Sequence, residues 1–223
     1  MTGRLGLALL RWAVAGRRRG GAESRADLSR RLREAAEALG PTYIKLGQII
    51  SSGEGIFPAE LVAEFAKCRD QVPAESFASV RRVVEAELGA TLESTFAHFD
   101  RAPIAAASIA QVHGARLHDG TEVVVKVQRP TVDELVHRDL RVMAWLSPYL
   151  VGRIPVASLA NPPALVEVFA NTISEELDFR VEAANMLDVA GVFAELDQRQ
   201  FVVPRPHPDL VTRRVLVLSL IHI

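Results

Sequence analysis

Two apolar runs joined by an Asp-Gly step constrain this chain more than any other feature. The first is Pro103-Ile-Ala-Ala-Ala-Ser-Ile-Ala-Gln-Val-His113 and the second is Glu122-Val-Val-Val-Lys-Val-Gln128. Between them, Leu117-His-Asp-Gly-Thr121 carries the strongest short signal for a tight turn between paired strands. The pattern predicts a strand at about 107–117, a turn, and a strand at about 121–128. A loop of small residues, Ala105, Ala106, Ala107 and Ser108, stands at the entrance. Among the valines of the second run lies one charge, Lys126. Inside a lobe, its ammonium needs a carboxylate or a phosphate, because an unpaired buried charge is too costly. On an edge strand the same side chain snorkels to water. The strand pattern alone leaves both readings open.

Composition narrows the classes. With 223 residues, the chain is long enough to bury a sizeable core as one domain or two unequal ones. Its net charge of −1 gives the molecule no general pull toward nucleic acid. The single cysteine, Cys68, excludes an internal disulfide and fits a reducing, cytoplasmic setting. The most apolar stretch, Met143–Val151, is too short to span a bilayer and is broken by Pro148. The N-terminus differs from the rest. Arg4, Arg11, Arg17, Arg18, Arg19, Arg25, Arg30, Arg31 and Arg33 are opposed only by Glu23 and Asp27. Leucines and Trp12 intersperse with the first of these, which suits either a basic tail or an amphipathic segment on an anionic membrane.

From Asp27 the spacing of Leu28, Leu32, Ala35, Ala36 and Leu39 predicts a helix ended by Gly40-Pro41. A second helix follows over Thr42–Ser51, with Lys45 and Gln48 three apart on one face. Gly47 between them costs about 1 kcal/mol against alanine in mid-helix, which implies a packing or functional reason for it. Helices are predicted over 58–71 and 74–88, then a short one over Thr91–Phe99. His137-Arg-Asp-Leu140 spells the start of a kinase catalytic loop. It lies only eleven residues past Lys126, and Ala144 stands where an asparagine is required. Asp139 is therefore read as a solvated helix residue.

Leu165–Leu196 is predicted as one long helical region. Within it, Glu176 and Glu182 are six apart and fall on different sides of a straight helix, while Asp178, Glu182 and Asn185 share a face. Phe201–Val203 and Arg214–Ser219 read as short strands that complete a five-stranded antiparallel sheet. The fold class is α+β.

Val-Val-Val-Lys126 resembles the Val-Ala-Ile-Lys strand of protein kinases. The alanine-rich run stands where such kinases carry a glycine-rich phosphate loop. Together with Lys45-Leu-Gly-Gln48, Glu176-Leu-Asp178 and Glu182-Ala-Ala-Asn185, it is similar to the UbiB-type (AarF) atypical kinase family. The resemblance covers about residues 30–218. It implies a protein-kinase-like N-lobe at 101–223, a helical extension at 25–100 and a basic tail at 1–24. It further implies that Lys126 pairs with Glu182 as the catalytic pair. Ala105, Ala106, Ala107, Ser108 and Gln111 would line the nucleotide site, with Lys45 and Gln48 laid over it and Glu176 and Asp178 engaging Lys45. The implied cofactors are ATP and Mg²⁺, with no metal ligand in this chain. The implied role is an atypical kinase or ATPase supporting ubiquinone or isoprenoid-lipid biosynthesis, cytoplasmic or peripheral at a membrane. Membrane lipid, quinone precursors and lipid-biosynthesis enzymes would be its partners, and nucleic acid would not. A non-catalytic nucleotide-sensing or scaffold module is the alternative. After Ser219 the hinge, the catalytic-loop aspartate and the metal-binding aspartate do not appear, which leads us to expect an inactive N-terminal piece lacking the C-lobe.

Overall fold

The computed structural model describes residues 21–68, 72–151, 161–198 and 200–219. The leucine- and arginine-rich start of the basic segment and the last four residues lie outside the described residues. The chain forms two compact units, one from residues 21–68, 138–151 and 161–169, the other from 72–137, 170–198 and 200–219.

The first unit is helical. Helix α1 (Gly21–Leu39), α2 (Pro41–Ser51) and α3 (Ala59–Phe65) pack pairwise on one another. Gly40, at φ 106°, turns the chain between α1 and α2 in a conformation that side chains resist. Arg33 on α1 reaches Glu37 at 2.7 Å and Glu64 on α3 at 3.2 Å. Gly47 has a packing reason: a Cβ there would overlap the ring of Phe65, coming to 2.9 Å from its Cε1. Missing one side chain, α2 can lie close against α3.

In the second unit, α4 (Phe77–Leu88) and the one-turn α5 (Leu92–Thr95) precede an antiparallel sheet. Its strands are β1 (Phe96–Phe99), β2 (Ala105–Ala106), β3 (Ala110–Leu117), β4 (Glu122–Gln128), β5 (Pro206–Val211) and β6 (Val215–Ser219). They run in the order β1-β3-β4-β6-β5, with the two-residue β2 paired to β3. The hairpin at the Asp-Gly step forms as predicted, in register Arg116↔Glu122 to Ala110↔Gln128. Gly120 takes φ 89° there and Asp119 accepts a hydrogen bond from Thr121 N–H at 2.9 Å. Along β4, Val123, Val125 and Val127 point to one face and meet Val80, Val83 and Val84 of α4, together with Val215 and Val217. The alternation of a strand therefore sends Lys126 to the opposite face.

Five expectations are corrected here. Thr91–Phe99 is helical only to Thr95; Phe96 is buried and the chain leaves as strand β1, pairing with Leu117, Arg116 and Ala115. The long helical region is two helices, α7 (Pro162–Glu176) and α8 (Phe179–Glu195), with α6 (Val132–Leu150) before them. The break comes where Phe179 N–H bonds to Arg213 O at 3.0 Å and both Leu177 and Phe179 are buried. The strand expected at 201–203 lies instead at 206–211 and includes Pro206 and Pro208. Prolines cannot donate to a ladder and are tolerated because β5 is an edge. Finally, Asp139 is not solvated. It is 5 % exposed, because it continues the buried stripe Val132, Val136, Met143 and Ser147 of α6. One of its oxygens accepts from Arg138 at 3.1 Å, and the other has no hydrogen-bond partner among the described residues. The core also draws α4, α5 and β1 into the sheet unit, so the boundary expected at residue 100 cuts across a continuous hydrophobic cluster.

Candidate nucleotide site

Helix α8 supplies the partner that the strand lysine requires. Lys126 Nζ donates to both oxygens of Glu182, at 2.8 and 2.7 Å, across 56 positions of sequence. The same ammonium stands 4.8 Å from the centre of the Phe179 ring, a cation–π arrangement on the first residue of α8. The pair is half-buried, with side chains 28 % and 37 % exposed. It is fixed in place but still open to a solvent-borne ligand. A triply donating ammonium held this way keeps a donor for a phosphate oxygen.

Beside this face is the alanine-rich loop. Ala105 and Ala106 pair with Val112 and Gln111, and Ala107 N–H donates to Ala110 O at 2.8 Å, closing the turn. Among the described residues, Asp197 is the one non-glycine with positive φ, so none of the loop alanines adopts the glycine-only geometry of phosphate cradles. Ser108 is buried.

Gln111 is turned into the core of its unit. It is 1 % exposed, its Oε1 accepts from Glu75 N–H at 2.8 Å, and its Nε2 meets His113 Nε2 at 2.7 Å. The amide nitrogen must donate, so His113 Nε2 accepts and its Nδ1–H donates to Asp100 O at 2.8 Å. Both ring nitrogens are satisfied by the neutral tautomer, and burial pushes the His113 pKa down. The sequence held the signal: Gln111 and His113 continue the period-two alternation of Ala115 and Leu117, which face the core.

The remaining expected residues divide between the two units. Lys45 and Gln48 sit on α2 of the helical unit, and Glu176 and Asp178 at the α7–α8 junction of the sheet unit. Asp178 is the N-cap of α8, accepting from Arg180 N–H at 3.0 Å and pairing with the Arg180 guanidinium at 2.6 Å. That hydrogen-bonded arginine holds the Asp178 carboxyl below its usual range.

A strand lysine bound to a helix glutamate, beside a hairpin loop, is the arrangement of a kinase N-lobe. The family model described as the ABC1 atypical kinase-like domain matches residues 67–222. This chain belongs to that family. The ABC1 chain is 38 % identical over 193 residues to the probable protein kinase UbiB of Aeromonas hydrophila, covering 86 % of this chain and 35 % of the relative. It is 38 % identical over 200 residues to an uncharacterized aarF domain-containing protein kinase, chloroplastic, of Arabidopsis thaliana, covering 84 % and 35 %. The solved complex structure of Rv3197 with erythromycin from Mycobacterium tuberculosis matches with a TM-score of 0.52 at 28 % identity, over 80 % of this chain and 44 % of that one. The ABC1 chain thus spans about a third of the length of the curated relatives it matches. The resemblance to the UbiB-type (AarF) family and the α+β, kinase-like fold class both hold.

Proposed function

We propose that this ABC1 chain is the nucleotide-handling part of an atypical kinase or ATPase that supports ubiquinone or isoprenoid-lipid biosynthesis. The observation that carries the reading is the bidentate Lys126–Glu182 pair, about a third exposed on the sheet face away from α4. ATP fits this arrangement: Lys126 would hold its phosphates, Glu182 would keep the lysine charged and aimed, and the alanine-rich loop would form one wall. Bound ATP would supply the transferable phosphoryl group. Among the described residues no cluster of three His, Cys, Asp or Glu could hold a metal ion. In this reading, the chain binds nucleotide without turning it over. Among the described residues no helix is long and apolar enough to cross a membrane, and the reading places any membrane work at the periphery.

The test is titration of the chain with MgATP and MgADP. Lys126→Ala should weaken binding about tenfold or more, the loss expected for one charge-assisted contact to phosphate. Equal affinity in wild type and variant overturns the reading. Turnover measured on a polypeptide of the relatives' full length separates a phosphotransferase from a nucleotide-sensing or scaffold module.

A further inference from the structure

The residue that governs the alanine-rich loop is one that neither the pair nor the helical extension contains. Arg129 is only 6 % exposed although it lies just past the end of β4. Its Nε donates to Ala107 O at 3.0 Å, its Nη1 to Glu75 Oε1 at 3.0 Å and its Nη2 to Val72 O at 3.4 Å. Its own N–H donates to Ile109 O at 3.0 Å. One buried guanidinium therefore joins the loop to the extended connector 72–76, the stretch that precedes α4. Gln111 makes a second tie to the same connector, accepting from Glu75 N–H at 2.8 Å. The fork of Arg suits three acceptors from two segments, which the compact ammonium of lysine cannot match.

We infer that Arg129 is a positioning residue that holds the alanine-rich loop shut and makes it one rigid piece with the connector. A glycine-rich loop works by offering free N–H groups from a mobile turn. Here Ala107 N–H is taken by Ala110 O, and the carbonyls of Ala107 and Ile109 are both taken by Arg129. The loop is a fixed wall, and its position is set by where the connector lies. For its consequence in ligand binding, the inference rests on the proposed nucleotide reading.

Hydrogen exchange of the nucleotide-free chain tests the clamp. Arg129→Lys should speed exchange of the 106–110 amides by about tenfold or more, as expected when charged hydrogen bonds are lost, with the β4 and β6 amides unchanged. Glu75→Gln, which keeps the arginine buried but removes its anionic partner, should act in the same direction with a smaller factor. Loop exchange that is unchanged in both variants overturns the inference. So does uniform acceleration across the sheet, which would mark Arg129 as a plain core residue. A parallel MgATP titration separates the two readings. Loosening in Arg129→Lys should shift the dissociation constant at least ~3-fold by changing the open-loop population. If Lys126→Ala weakens MgATP and a loosened Arg129→Lys loop does not shift it, the positioning role fails. If Lys126→Ala leaves MgATP binding untouched while the loop loosens, the nucleotide reading fails and the clamp stands.

Discussion

At the scale of single residues, the demand placed on Lys126 decides most of the chemistry. A lysine between valines on the face opposite the core needs a counter-charge, and Glu182 provides it with two hydrogen bonds. Because both side chains remain about a third exposed, breaking the pair should cost less than a fully buried one. Glu182→Ala should lower stability by about 1–2 kcal/mol in urea unfolding, whereas Glu175→Ala at an exposed site should change it by under about 0.5 kcal/mol. Equal, small effects would place the pair's energetics in solvent. His113 carries a second prediction. Burial depresses its pKa, so above the ordinary value of 6.5 it is neutral in both folded and unfolded chains and contributes no pH dependence. Below that value the unfolded chain binds the proton more readily, and stability falls. Unfolding midpoints should drop between pH 7.5 and 5.5, and drop less in His113→Gln. A profile unaltered by the substitution would acquit His113. Of this network, the inward direction of Gln111 and His113 was legible in strand alternation. The reach of Arg129 to Val72 and Glu75 was not, since it spans 54 positions or more.

Among the elements, Gly47 shows a sequence anomaly explained by packing. Alanine there would gain helix propensity of up to about 1 kcal/mol, and would drive its methyl into Phe65, itself buried. Overpacking of this kind costs about 1–3 kcal/mol, so Gly47→Ala should be net destabilising, and Gly47→Ala with Phe65→Leu should recover part of the loss. A stabilised single variant would show that α2 and α3 can move apart freely. The helix break at Leu177-Asp178 and the proline-bearing edge β5 were illegible for a shared reason. Local propensity favours continuing the helix through 165–196 and avoiding a strand at Pro206, yet pairing with distant backbone decides both. Phe179 N–H takes Arg213 O, and Pro206 sits opposite Leu218.

For the whole molecule, the engagement of Lys45 by Glu176 and Asp178 that the family resemblance implies is open to a charge-exchange test. Lys45→Glu should weaken nucleotide binding, and the exchange Lys45→Glu with Glu176→Lys should restore it at least in part, by an amount of about 0.5–3 kcal/mol in a double-mutant cycle. Additive effects would mean that the two charges never meet. The same cycle run with Asp178 in place of Glu176 should show no coupling, because Arg180 already holds that carboxylate.

The sequence by itself determined the Asp-Gly hairpin, the valine face of β4, the helix that needs Gly47 and the family to which these motifs belong. All of these rest on interactions within a few residues or on the fixed periods of strand and helix. Only the tertiary structure decided that Asp139 turns inward, that Gln111 and Arg129 both reach Glu75, and that the connector 72–76 grips the alanine-rich loop. Those outcomes depend on groups brought together from far along the chain, where burial and hydrogen-bond satisfaction, rather than local preference, select the partner.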